Sequence, residues 1–258
     1  MAVVKCRHSF KWNPLGPRSR SVVLAVAAAA VAVFVHVQGA HAYEAVTVSG
    51  GGIVAGKVVF NGEVPTKMII PTKDPAVCGG IRNVSLVTVG ADKGVKDAVV
   101  YLKKVKRGKG WPTAEALKTP VLDQEKCKFR PHVQVIRTGS LDILNSDPLL
   151  HNTHGFYGRR TAFNLAMPNK GDKNTANLGR PGLVRVECDA HGWMLAWVQV
   201  ADSPYYVVTG EDGMFTITDV PPGKYTLVVW QEFTGAIETT VVVKAGEKSE
   251  MSIELKKM

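Results

Sequence analysis

From residue 52 onward, apolar residues recur at alternate positions, and Gly, Pro, Asn and Asp interrupt the runs roughly every eight to twelve residues. A period of two marks a strand with one buried face, and short strands at this interval build sandwiches or barrels. The clearest predicted strands are GIVAGKVVF (52–60), DAVVYLKKV (97–105), HVQVI (132–136), LDILN (141–145), GLVRVEC (182–188) and AWVQVA (196–201). GMFTITDV (213–220), KYTLVVW (224–230), ETTVVV (238–243) and SEMSIEL (249–255) follow. Asp212-Gly213 and Pro221-Pro222-Gly223 are turn signals between them. AEALK (114–118) is the one short helical turn expected, so the fold class is all-β.

The first 42 residues do not share this pattern. Residues 1–20 carry Lys5, Arg7, Lys11, Arg18 and Arg20 and no acid, and an alanine-rich apolar run, SVVLAVAAAAVAVFVHV (21–37), comes next. QGAHA (38–42) ends in an A-x-A pattern, which completes an export signal with cleavage after Ala42. The rival reading is an uncleaved anchor, although the run is near the short limit for spanning a bilayer. The expected location is the periplasm, with membrane contact only through this segment if it is retained. The signal supplies five of the ten net positive charges. The remaining 216 residues are therefore only mildly basic, and their one basic cluster, KKVKRGKGW (103–111), reads as a solvated loop. No nucleic-acid partner is expected.

Cysteine and histidine are scarce after the signal. Cys78, Cys127 and Cys188 remain, an odd number in an oxidising compartment. The segment VRVECDAHGWMLAWVQVAD (184–202) gathers Cys188, His191 and Met194 within seven residues. A thiolate, an imidazole and a thioether suit copper, whereas calcium and magnesium want oxygen. With Cys188 given this neighbourhood, Cys78 and Cys127 form the natural disulfide. A trigonal Cys/His2 site with a distant axial Met is the blue-copper arrangement. Its second histidine comes from His132, His151 or His154, the others outside the signal. Positions 151 and 154 face opposite sides of a strand, so both cannot bind one metal without a bulge. His132 alternates with Val133 and Val135 and is expected to face solvent.

Two segments carry a family resemblance. FRPHVQVIRTGSLDILNSDPLLHNTHGF (129–156) resembles the start of a plastocyanin-like cupredoxin, and RPGLVRVECDAHGWM (180–194) resembles its end. The Cys188-x2-His191-x2-Met194 spacing is similar to that of amicyanin-type cupredoxins, with Gly192 where proline often follows the loop histidine. The resemblance covers about residues 120–202 and implies an eight-stranded Greek-key sandwich with one mononuclear type 1 copper. It implies metal ligation by His151, Cys188, His191 and Met194. It also implies that Asn152 ties the two ligand loops, with His154 and His132 as alternative ligands or supporting groups. Trp193, between two ligands, reads either as loop packing or as a docking face for a redox partner.

The segment VVTGEDGMFTITDVPPGKYTLVVWQEFTGAIETTVVVKAGE (207–247) resembles the carboxypeptidase regulatory-like, transthyretin-like sandwich, and GGIVAGKVVFNGEVP (51–65) resembles the opening of the same family. The expected organisation is a signal at 1–42, N-terminal strands of this sandwich at 43–118, a cupredoxin at 119–202 and the remaining strands at 203–258. The resemblance implies an exported blue copper protein that carries single electrons between partners such as a cytochrome or a copper enzyme. A copper-delivery protein and a non-catalytic structural sandwich remain as alternatives. No nucleophile–base pair is evident, and the histidines left over are too few for a second, three-histidine copper centre. The chain is therefore expected not to be an enzyme.

Overall fold

The computed structural model describes residues 43–113 and 119–256. The expected export signal at 1–42 and the expected helical turn at 114–118 lie outside the described residues. Among those residues, no helix is long and apolar enough to cross a membrane. The chain forms two β-sandwiches, each around its own apolar core.

The first sandwich draws strands from both ends of the described chain. Gly52–Phe60 is the middle strand of three, pairing antiparallel with Met214–Val220 and parallel with Lys248–Leu255. The facing sheet runs Tyr206–Val208, Val99–Lys103, Gly223–Gln231, Gly235–Val243. Val54, Val58, Leu102, Phe215, Ile217, Leu227 and Val229 fill the space between the sheets. These are the inward positions of the period-two runs, which is why their strands are legible in the sequence. Gly213 closes the Asp212 turn with φ +71°, and a Cβ there would meet the Val58 carbonyl oxygen at 2.4 Å. Only glycine fits both demands.

The second sandwich is built from residues 121–201. Its four-stranded sheet runs Lys173–Leu178, Gly139–Asn145, Val121–Gln124, Phe129–Arg130. Its five-stranded sheet runs Arg160–Met167, His151–Tyr157, Gly182–Cys188, Leu195–Ala201, Val133–Arg137. Three of these strands, His151–Tyr157, Arg160–Met167 and Lys173–Leu178, do not stand out in the sequence. Their alternation is masked by Thr, Asn, Gly and Arg, and a third of their positions are exposed.

One segment of the N-terminal strand set departs from its expected place. Between Gly52–Phe60 and Val99–Lys103 the chain makes a small hairpin, Thr66–Ile69 with Arg82–Ser85, around a one-turn helix, Pro75–Cys78. Val77 and Cys78 pack into the core of the second sandwich, not the first. Cys78 is bridged there to Cys127.

A polar seam joins the sandwiches. His132 Nδ1 lies 3.0 Å from the Leu195 carbonyl oxygen, and its Nε2 lies 2.7 Å from Glu232 Oε1. Trp197 Nε1 donates to Glu232 Oε2 at 2.8 Å, and the Trp197 and Trp230 rings meet edge to face at 5.1 Å. The expectation that His132 faces solvent holds in part: its side chain is 38% exposed, but both ring nitrogens are engaged at the seam. A second sandwich packs against what alternation within one sandwich marks as the outer face. Burial pushes the His132 imidazole down, but the bond and charge of Glu232, with Asp97 nearby, outweigh it and hold the pKa above its usual 6.5.

Two expectations follow. A histidine with a raised folded-state pKa stabilises fully below its unfolded value and loses that contribution as pH rises through the folded value. Thermal melts should therefore show stability falling as pH climbs past the ordinary histidine value of 6.5, with Glu232→Gln flattening the slope and costing at most about 1 kcal/mol at this partly exposed site. The Cys78–Cys127 bridge closes a loop of 49 residues. Denaturant titration of the double Cys→Ser variant should show a loss of about 4 kcal/mol in the chain-entropy account.

Candidate metal centre

The inward row of the strand Gly182–Cys188 is Val184, Val186, Cys188. The thiol thus occupies the last core position before the chain turns. The turn is two overlapping three-residue closures: the His191 N–H donates to the Cys188 carbonyl at 3.2 Å, and the Met194 N–H donates to the His191 carbonyl at 2.9 Å. This is the physical content of the x2 spacings. Each closure brings the next side chain back over the same end of the sandwich, and His191 and Met194 are only 1% and 2% exposed.

His151 opens the neighbouring strand. Cys188 pairs across the sheet with Thr153, so His151, two residues before Thr153, points to the same buried face. His154 points outward, with Nδ1 3.1 Å from Asp189 Oδ2 and Nε2 3.0 Å from Thr161 Oγ1. The structure brings His151 to Cys188 and His191, and places His154 and His132 elsewhere.

The three inward donors form a close triangle. His151 Nδ1 and His191 Nδ1 are 3.1 Å apart, and they lie 3.8 and 3.6 Å from Cys188 Sγ. The point equidistant from all three is about 2.0 Å from each, the length of a bond from imidazole nitrogen to a first-row metal. Both rings are held from behind by carboxylates. His151 Nε2 is 2.9 Å from Asp147 Oδ2, and His191 Nε2 is 3.0 Å from Asp74 Oδ2. An Nε2–H donated to a carboxylate leaves the Nδ1 lone pair free. Two such lone pairs facing each other at 3.1 Å in an apolar core repel unless a cation or a shared proton lies between them. The donor set therefore fits copper.

Asp147 is itself fixed. It accepts from the Lys126 N–H at 2.7 Å and the Cys127 N–H at 2.8 Å. Burial would raise its pKa, but the Cys127 N–H, His151 and the Lys126 N–H together hold it below the usual carboxylate range. Burial is also the largest influence on His151 and pushes its imidazole below the usual range, against the pull of Asp147. The pair is thus a neutral imidazole donating to a carboxylate, which is the ligand-ready form.

Two other groups of candidate ligands lie among the described residues: Cys78, Cys127 and His191, and Cys127, Asp147 and His151. Both share residues with the triangle or its supports, and the bridge engages Cys78 and Cys127. Asn152 meets its expected role only through the backbone. Its N–H points at Cys188 Sγ at 3.4 Å, while its side chain donates to Asn164. The side chain that ties the loop is Asn145, which donates to the Leu149 and Met167 carbonyls and accepts from the Asp147 N–H. The Trp193 ring stands against His191 with centroids 5.2 Å apart, and its buried Nε1 has no hydrogen-bond partner. Sequence reasoning missed Asp147 and Asp74. Asp147 had a signal, an acid one Pro-containing turn before His151; Asp74, 117 residues from its histidine, had none.

Comparison with known proteins gives two kinds of likeness. A family model described as polysaccharide lyase family 4, domain II matches residues 183–251. The protein is 38% identical over 61 residues to a "Probable rhamnogalacturonate lyase A" of Aspergillus flavus, covering 24% of this chain and 11% of that one. A protein of the same name from Aspergillus clavatus is 39% identical over 56 residues, covering 22% and 10%. The chain thus spans about a tenth of the length of these curated relatives. Among solved structures, the neighbours are cupredoxins. A purple cupredoxin from Nitrosopumilus maritimus matches at 19% identity, 32% of this chain, 99% of that chain and a TM-score of 0.29. Amicyanin from Paracoccus versutus matches at 20% identity, 35%, 85% and 0.30. A copper-containing nitrite reductase from Thermus scotoductus matches at 18% identity, 35%, 25% and 0.29.

These findings correct the expectation that the chain is not an enzyme. The family match and both curated relatives point to a polysaccharide lyase family, over part of the chain. The lack of a nucleophile–base pair and of histidines for a second copper centre says nothing about the strand pattern at residues 183–251 that the lyase-family model matches.

Proposed function

We propose that this chain carries a mononuclear type 1 copper centre and passes single electrons. The observation that supports this reading is the buried triangle of His151 Nδ1, His191 Nδ1 and Cys188 Sγ, with a carboxylate behind each ring. His151, Cys188 and His191 would hold the metal, with Met194 as a weaker fourth donor from the same loop. When bound, copper supplies a one-electron couple between its two oxidation states. The protein's part is to keep the donors still. Cys188 is fixed by its strand and by the Asn152 N–H, and the rings are fixed by Asp147 and Asp74. The apolar core excludes water from the donors, so little rearranges when the charge changes.

The reading extends to an exported, periplasmic protein whose redox partner docks near Trp193. That ring is half-buried and touches a proposed ligand. A specific observation favours an enzymatic role beside it: the lyase-family match runs through the C-terminal strands of the first sandwich. Release of unsaturated ends from rhamnogalacturonan, followed by ultraviolet absorbance, tests that role.

The copper reading is tested on the copper-loaded protein. One ion per chain and an intense visible thiolate-to-copper band in the oxidised form are expected. Cys188→Ser should abolish the band. Met194→Ala should keep it and shift the potential. His154→Ala should leave it nearly intact, while His151→Ala should lose it; the reverse pair of results overturns the ligand assignment. A protein that stays colourless with excess Cu(II) overturns the reading. A reversible one-electron couple separates electron transfer from copper delivery, for which release to an acceptor is expected instead.

A further inference from the structure

The carboxylate behind His191 does not come from the sandwich that holds the centre. Asp74 sits on the small hairpin between two strands of the other sandwich, 117 residues before its partner. His191 is 1% exposed beneath it, while the Asp74 side chain is 47% exposed. The hairpin tip therefore covers the loop histidine from outside.

What holds Asp74 there is local. Its backbone is left-handed, with φ 50° and ψ 44°, and its carbonyl accepts the N–H groups of Val77 and Cys78 at 3.0 and 2.9 Å. Arg82 Nη1 closes the turn on the Cys78 and Gly80 carbonyls at 3.0 and 3.2 Å. The turn is then tied down by the bridge from Cys78 to Cys127. The other end of that bridge is the residue whose N–H holds Asp147, the carboxylate behind His151. One disulfide thus fixes both supports: His151 to Asp147 to Cys127 on one side, and Cys78 to Asp74 to His191 on the other.

We propose that Asp74 is a positioning residue for the metal centre, held in register by the Cys78–Cys127 bridge. Its carboxylate selects the Nε2–H form of His191, so that Nδ1 faces Cys188, and its negative charge favours the more oxidised, more positive metal. This proposal rests on the copper reading for its metal-linked part and stands on the hydrogen-bond geometry for the tautomer.

The experiment uses the full chain. In the copper-loaded protein, Asp74→Ala should weaken copper binding by about 10- to 100-fold in a chelator competition, the usual loss for a group that orients a ligand. The reduction potential should rise, and the thiolate band should persist because Cys188 is untouched. Asp74→Glu should restore part of the affinity. The double variant Cys78→Ser/Cys127→Ser should weaken binding in the same direction. Adding Asp74→Ala to it should cost much less than it does alone, because both changes release one carboxylate. Wild-type affinity and potential in Asp74→Ala, or fully additive losses, overturn the proposal.

A metal-free measurement keeps it separate from the copper reading. Nitrogen NMR should find His191 in the Nε2–H form in the wild type and in mixed forms in Asp74→Ala. An unchanged tautomer overturns the proposal, whatever metal the wild type binds. A wild type that binds no copper defeats the copper reading alone.

Discussion

Two imidazole nitrogens and a thiol sulfur face one another within 3.8 Å inside an apolar core. Placing polar donors there is costly unless each is satisfied, and the surrounding structure is arranged to satisfy them. The outer nitrogens donate to Asp147 and Asp74, and Asp147 in turn takes two backbone N–H groups from the turn at Lys126 and Cys127. The inner atoms are left converging on one point. A shift of the Gly182–Cys188 strand by one residue against its neighbour would turn Cys188 away from His151 and break the set. The register of that strand pair is therefore a condition of the site as well as of the core.

The same constraint explains why two sandwiches share one chain closely. The second sandwich supplies the inward donors and one supporting carboxylate. The second support, Asp74, and the cover over His191 arrive from the chain of the other sandwich. On the opposite side of the Leu195–Ala201 strand, His132, Glu232 and the Trp197–Trp230 pair join the bodies again. Strand Leu195–Ala201 leaves the ligand loop directly, and its first carbonyl accepts from His132. The seam and the centre are thus mechanically adjacent.

The legible parts of the sequence were those where local pattern and final burial agree. Gly52–Phe60 and Gly182–Cys188 have the predicted bounds because every inward residue is apolar and the ends carry turn residues. The cysteine count led to the Cys78–Cys127 pair, and the x2 spacings led to the turns that gather Cys188, His191 and Met194. The strands at 151–178 were obscure because polar outward faces and Gly155 dilute their alternation. The partner of His132, Glu232, is contributed by a second body, which a one-sandwich pattern cannot contain. Asp74 was invisible for a related reason. A single carboxylate in a loop carries no periodicity, and its meaning depends on a contact made far along the chain.

The lyase-family match and the triangle of His151, His191 and Cys188 share the residues of one strand and its loop. The matched span begins at residue 183, inside the strand that delivers Cys188, and continues through the strands that complete the first sandwich. A β-sandwich is specified by alternating apolar positions and turn residues, and these say little about what its loops do. Strands Met214–Val220 through Lys248–Leu255 bury Phe215, Ile217, Leu227 and Leu255 inward and face polar residues such as Thr216, Thr240 and Glu254 outward, with Met214 and Val242 as apolar exceptions. That pattern serves a module attached to an enzyme as well as one attached to a metal carrier. The discriminating chemistry lies instead in the loop residues that the core pattern leaves free. In this chain those are Cys188, His191 and Met194, each held by a turn, with Asp74 and Asp147 closing the rings from behind.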